Sequence, residues 1–209
     1  MGKAKHKREG EQLYTQVLQT AAPSLLAVND DSPPRELPMM KKFRFQLLHR
    51  WMSAHVAPCR VADVGGGKGL LAYLLQGSGW NATVIDPVDQ ALPTKYKDLQ
   101  TNKQVQIADT ERVPRIDAEF EPSMAQHFDL LAAMHAHGCN IQLVDAAVMY
   151  HCDVIILPCC VIGEPVLPPP GTEWIQWLVA YVVEQGFTVT PFRLNFKGQN
   201  IGIYARRTG

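Results

Sequence analysis

The 209-residue chain has no net charge: 20 lysines and arginines are matched by 20 aspartates and glutamates. Without a global field the molecule as a whole does not draw in a phosphate backbone, so any nucleic-acid surface must be local. Long apolar runs are also missing. The longest, near Val154 to Ile162, falls far short of the roughly 20 residues that span a bilayer. The opening MGKAKHKREGEQ has no apolar stretch of the secretory kind. The five cysteines, Cys59, Cys139, Cys152, Cys159 and Cys160, are an odd set and argue against a disulfide framework. Free thiols in a cytoplasmic protein with no membrane partner are expected. Internal repeats are missing, and the only biased segment is LPPPG at 167–171, a stiff loop.

Apolar residues make up 46% of the chain, enough for one substantial α/β domain. Residues 1–57 read as an N-terminal basic tail and helical extension, and residues 58–209 as the domain proper. Lys3, Lys5, Lys7 and Arg8 make residues 1–10 a flexible basic tail, either merely solvated or an arm that touches RNA phosphates. Leu13, Val17 and Leu18 suggest an amphipathic helix over 11–28, interrupted at Pro23. NDDSPPRELP is a linker. Phe43, Leu47 and Trp51, with Leu48 beside them, predict a helix over 40–56 flanked by Lys41, Lys42, Arg44 and Arg50.

Beyond Pro58, short apolar strands alternate with helices, the pattern of a doubly wound parallel sheet. Strands are predicted near 60–64, 82–86, 104–108, 128–134 and 153–158, and helices near 68–77, 89–100, 141–150 and 172–185. In the last helix Trp174, Trp177, Leu178, Tyr181 and Val182 form one apolar core face, with Thr172 able to cap its start and Gly186 its end. FTVTPFRLNF and QNIGIYARR then read as a closing antiparallel hairpin. The fold class is α/β: a doubly wound, mostly parallel, seven-stranded Rossmann-like sheet with an antiparallel edge hairpin and N-terminal helices.

VADVGGGKGLL, residues 61–71, is the informative stretch. A triphosphate-binding loop needs G-x-x-x-x-G-K-[ST], because the hydroxyl after the lysine holds magnesium. Here Lys68 is followed by Gly69. A dinucleotide fingerprint needs G-x-G-x-x-G, with the third glycine packing helix on strand. That position is Leu70. The glycines fall instead at Gly65, Gly67 and Gly69, with Gly66 between and Asp63 two residues ahead.

Asp63-Val-Gly65-Gly-Gly67-Lys-Gly69 resembles the first motif of class I S-adenosylmethionine-dependent methyltransferases, over roughly residues 58–206. The likeness implies a loop whose bare backbone meets the methionine and ribose portions of S-adenosylmethionine. Asp86, seventeen positions after Gly69 in ATVIDP, would accept hydrogen bonds from the ribose hydroxyls. Asp109, in VQIADTER, matches the position that holds the adenine amino group in many such enzymes, and equally reads as the N-cap of a following turn. The implied cofactor-binding set is Asp63, Gly65, Gly66, Gly67, Gly69, Asp86, Asp109 and His135.

MHAHGCN at 134–140 follows the fourth strand and LPCC at 157–160 ends the fifth, so both lie at the carboxyl edge of the sheet. His135, His137 and Cys139 would share a face if the strand continued. Four readings stay open. His135 or His137 orients or deprotonates an acceptor; His135, His137, Cys139, Cys159 and Cys160 gather a soft metal; Cys159 or Cys160 is a nucleophile; or these are small buried residues where loops cross. His151 and Cys152, at a helix end, are structural.

A narrower likeness rests on a lysine-rich helix before the glycine loop, His135-Ala136-His137-Gly138, and Cys159-Cys160. These are similar to the branch containing tRNA acceptor-stem ribose methyltransferases and their uncharacterised relatives. The chain departs from that branch in having histidine where cysteine is usual, and in lacking the zinc-finger regions found in some of its members. The expectation drawn is transfer of a methyl group from S-adenosylmethionine to an RNA acceptor, tRNA or rRNA, with His135, His137 and Cys159 at the reacting centre, no metal, and the N-terminal helices over the open side of the site. A small-molecule acceptor, or a non-catalytic metal- or RNA-binding module on the same fold, are the alternatives. A nicotinamide-dependent oxidoreductase is disfavoured by Leu70.

Overall fold

The computed structural model describes residues 2–21 and 43–207. Seven strands form one sheet in the order β5-β2-β1-β6-β7-β9-β8. They are β1 (Arg60–Val64), β2 (Asn81–Ile85), β5 (Arg115–Ile116), β6 (Leu130–Met134), β7 (Asp153–Leu157), β8 (Phe187–Arg193) and β9 (Ile201–Arg207). The first five run parallel, while β9 pairs antiparallel with both β7 and β8. This is the doubly wound sheet with an edge hairpin that the sequence predicts.

Burial on both faces explains the near-continuous apolar strands. Ala62, Val64, Leu131, Ala133, Val154 and Ile156 point to one core, and Val61, Leu130, Ala132, Ile155 and Leu157 to the other, as alternation requires. Helices α1 (Gly2–Ala21), α4 (Asn140–Tyr150) and α5 (Trp174–Glu184) cover the first face. Helices α2 (Arg44–His55) and α3 (Leu70–Gln76) cover the second. Phe43, Leu48, Trp51 and Met52 are buried there, with Trp51 stacked on Phe192 at 4.0 Å between ring centroids. Among the described residues no helix is long and apolar enough to cross a membrane.

The structure departs from the sequence reading in four places. The expected flexible basic tail is helical from Gly2; its inner turns carry Val17 and Ala21 into the core and Tyr14 onto the carbonyl of Pro191. The expected helix over 89–100 is absent: Pro93 falls inside its span, and β3 (Lys95–Lys97) pairs instead with β4 (Gln104–Gln106) in a separate two-stranded sheet. The strand expected at 104–108 therefore lies outside the main sheet, and its place beside β2 is taken by β5, two residues long and led by Pro114. Finally, Glu173 rather than Thr172 occupies the N-cap of α5, with no side-chain cap bond, while Gly186 follows the helix at φ 83° as expected. The expected break at Pro23, the linker at 29–38, Lys41 and Lys42 lie outside the described residues.

Gly202, on β9 between β7 and β8, is closely packed. A Cβ there would meet Phe192 Cζ at 2.6 Å and Leu157 Cγ at 2.7 Å, all within the second core. Gly202→Ala is expected to lower stability by about 1–3 kcal/mol, the usual range for overpacking. Urea unfolding measures it; an unchanged midpoint would mean that Phe192 swings away without cost.

Candidate functional site

β2 and β6 flank β1, so the strand order reverses between β1 and β6 and leaves a crevice above their carboxyl ends. The glycine loop rises into that crevice. Gly65, Gly67 and Gly69 all have positive φ, at 65°, 54° and 76°. Gly69 is the N-cap of α3, and Gly67 is where the backbone turns to face the cleft. Side chains are also excluded by space: a Cβ at Gly66 would lie 2.6 Å from Asp63 Oδ2, and one at Gly65 would lie 2.7 Å from Ala136 Cβ.

Two acids support the loop from beneath. Asp63, 1% exposed, accepts a hydrogen bond from the Ala72 N–H at 3.3 Å. Asp86, 9% exposed, accepts from the Gly67 N–H at 2.8 Å through Oδ2 and from the Val88 N–H at 2.9 Å through Oδ1. Burial pushes the Asp63 carboxyl up to about 7; the Ala72 N–H opposes this and the Asp86 charge adds to it. Arg115, on β5, joins the loop to the segment after β2 by donating to the carbonyls of Gly67 (2.8 Å) and Val88 (2.9 Å). Sequence reading missed this residue, because a two-residue strand after a proline gives no periodic signal.

The cleft holds about 570 Å³, within the usual range for a small-ligand site. Gly65, Gly66, Gly67 and Lys68 form one wall; Met134, His135, His137 and Cys159 form another; Arg44 and Phe45 of α2, with Gln90 and Pro93, complete it. Of the two N-terminal helices expected above the site, α2 alone reaches it, and α1 packs on α5 and β8 instead. Asp109 is exposed, caps no helix and does not line the cleft. The strand it was expected to follow is not in the main sheet.

The histidine segment does not continue β6. The strand ends at Met134 and His135 turns at φ 58°, so His135, His137 and Cys139 share no strand face. His135 Nε2 lies 2.8 Å from the Gln199 carbonyl. A carbonyl only accepts, so Nε2 carries the proton and the acceptor character of the neutral ring lies on Nδ1. His137 instead comes together with Cys159 and Cys160, their ligating atoms all within 4.8 Å of one another. Cys139 is half-buried, and burial with the nearby Glu164 charge raises its thiol to about 12. Burial and the Cys160 contact push the Cys159 thiol up to about 11, so at neutral pH it is a protonated, weak nucleophile. Cys152 is fully buried and directs its thiol to the carbonyls of Ala125 and Phe128, as a structural residue would.

Two contacts lock the histidine and cysteine loops together. The Glu164 carboxylate accepts from the N–H groups of Asn140 (3.0 Å) and Ile141 (3.2 Å) at the start of α4. Gly138 and Gly163 meet back to back, a Cβ on either falling 3.0 Å from the other's backbone. Glu164 was not foreseen either, because its partner is 24 residues away in the chain.

No protein-family model matches the chain. It is similar to a probable tRNA (uracil-O(2)-)-methyltransferase of Caenorhabditis elegans, with 24% identity over 152 residues, 66% of this chain. The chain spans about a quarter of that relative's length (26%). Solved structures with a similar outline include a glycopeptide N-methyltransferase in complex with S-adenosylhomocysteine (10% identity, 84% of this chain and 94% of that one, TM-score 0.48). A second is the 1,6-didemethyltoxoflavin-N1-methyltransferase of Burkholderia thailandensis (18%, 81% and 80%, TM-score 0.45).

The raised Asp63 carboxyl has a consequence for stability. A group held above its unfolded value contributes fully below about pH 4 and loses that contribution as pH rises to its folded value, about 7. Asp63→Asn keeps an acceptor for Ala72 but cannot ionise. Relative to this variant the native chain is expected to lose on the order of 2–4 kcal/mol between about pH 4 and 7.5, at about 1.4 kcal/mol per pKa unit. Urea unfolding across that range is the measurement, and parallel profiles would refute the assignment.

Proposed function

We propose that the chain is an S-adenosylmethionine-dependent methyltransferase with an RNA acceptor. The observation that carries this reading is the cradle of bare backbone at Gly65, Gly66 and Gly67, beside a buried carboxylate, at the point where the strand order reverses. The cradle fits a nucleoside without a pyrophosphate: every Cβ that would intrude is missing, and Leu70 stands where dinucleotide sites need a third glycine. The similarity to a probable tRNA (uracil-O(2)-)-methyltransferase of Caenorhabditis elegans supports the RNA acceptor.

In this reading Gly65, Gly66 and Gly67 lie along the cofactor, and Asp86, whose two oxygens each take one backbone N–H, has lone pairs left for ribose hydroxyls. When bound, S-adenosylmethionine supplies a methyl group activated on sulfonium sulfur. The chain positions an acceptor against it and excludes water. His135 or His137, both on the acceptor wall, supplies an imidazole suited to orient the acceptor or take its proton. Arg44 and Lys68 place two cations at the cleft for phosphates, and Phe45, with the Arg44 guanidinium 4.7 Å from its centroid, offers a ring to an unstacked base.

Calorimetric titration with S-adenosylhomocysteine is expected to give micromolar binding, weakened at least about tenfold in Asp86→Ala, since a hydrogen bond to a charged group is worth about 1.5–3 kcal/mol. No binding, or preference for NADH, would refute the cofactor assignment.

Titration with unmodified tRNA at several salt concentrations tests the acceptor. The affinity should fall with salt, and Arg44→Ala should reduce the log–log slope by about 1, the signature of one lost phosphate contact. Salt-independent or absent tRNA binding, alongside intact cofactor binding, would favour a small-molecule acceptor.

A further inference from the structure

Among the described residues, one group of three ligating side chains converges: His137 on the loop after β6, and Cys159 and Cys160 on the loop after β7. The geometry points to a transition-metal site of the zinc type built from His137, Cys159 and Cys160 on the acceptor wall of the cleft.

The sulfurs of Cys159 and Cys160 are 3.5 Å apart. Two sulfurs on a tetrahedral zinc ion, each about 2.3 Å from the metal, stand about 3.8 Å apart. A disulfide would require about 2.05 Å. The pair is therefore already near the spacing of two ligands on one ion. The imidazole nitrogen lies within 4.8 Å of both, so small side-chain rotations close the set. Two thiolates and one neutral imidazole around a divalent ion leave no net charge, which suits a site whose cysteines are half-buried. Each thiol releases its proton to solvent on coordination.

The two loops are also held in register before any ion arrives. Glu164 ties the cysteine loop to the first turn of α4, and the Gly138–Gly163 contact fixes the distance between the loops. Three protein ligands leave a fourth tetrahedral position, the arrangement of metal sites that act on a bound oxygen. His137 and Cys159 both line the cleft, so that position opens toward the acceptor. Metal occupancy is independent of the methyl-transfer reading; use of the open position to lower the pKa of an acceptor hydroxyl rests on it.

The test uses the full chain, stripped of metal under reducing conditions and titrated with cobalt(II), followed by zinc competition. One equivalent of cobalt should produce the sulfur-to-cobalt charge-transfer band and the visible bands of a tetrahedral site, both bleached by zinc. Cys159→Ser and Cys160→Ser should abolish the charge-transfer band. His137→Ala should weaken binding by more than the roughly tenfold loss that follows removal of even a supporting group. Cys59→Ser, remote from the cluster, should bind as the native chain does, and circular dichroism of every variant in chelator should match the native spectrum. Absence of tetrahedral bands in the folded native chain, their persistence in the Cys159→Ser/Cys160→Ser double variant, or a Cys159–Cys160 disulfide found by mass spectrometry of the native protein would overturn the proposal. S-adenosylhomocysteine titration of the same samples separates its failure from failure of the cofactor assignment.

Discussion

The site depends on two acids buried beneath one loop. Asp63 and Asp86 sit at the ends of adjacent parallel strands, and both carboxyl groups accept from backbone N–H groups of the glycine loop and its surroundings. Burial holds the deeper acid, Asp63, up near neutrality, with the Asp86 charge adding to the effect, while Asp86 keeps its two N–H partners. The arrangement fixes a loop that has no side chains of its own to pack. A backbone surface gains rigidity only from what it is bonded to. Here the bonds come from below through the acids and from the side through Arg115.

The opposite wall follows a different principle. Its chemistry lies in side chains, and its rigidity comes from pairing two loops that belong to neighbouring strands. β6 and β7 are in register, Met134 against Leu157, so the residues that follow them emerge together at the same edge. The positive φ at His135 turns its segment away from the strand line, and the Gly138–Gly163 contact then lets the two loops approach to backbone distance. A larger residue at either glycine would part the loops, and His137 would no longer meet the cysteine pair. The convergence of these three side chains is thus a property of the sheet register and two missing Cβ atoms rather than of local sequence spacing.

That distinction explains what could be read in the sequence. The parallel strands were legible because burial on both faces demands unbroken apolar runs, and the edge hairpin because alternation survives at its ends. The glycine loop was legible because its exclusions are local: Gly69 after Lys68 and Leu70 in place of a third glycine eliminate phosphate-binding loops on chemistry alone. The region between β2 and β6 was misread because its proline-broken hairpin and two-residue β5 lack the periodicity that identifies an element. Asp109 was misplaced as a direct result. Arg115 was missed with it, and Gln199 and Glu164 were invisible for another reason: each acts on a partner 24 to 64 residues away, and spacing carries no information about such pairs.

The two walls also differ in how freely they can change. The glycine wall is backbone held at several points: an added Cβ collides with Ala136 at Gly65 and with Asp63 at Gly66, and the positive φ of Gly67 disfavours any side chain there, so its ligand is constrained by the fold itself. The acceptor wall is assembled from the tips of three separate segments: the start of α2, the loop after β6 and the loop after β7. Loops on a rigid scaffold tolerate substitution without unfolding the sheet beneath them. The cleft lining at Arg44, Phe45 and His137 can therefore vary while the glycine wall stays fixed, and shared architecture alone does not identify the ligand. Under the proposed reading, the face turned to the acceptor combines two cations and a ring from α2 and the glycine loop with a histidine–cysteine cluster held by the register of β6 and β7.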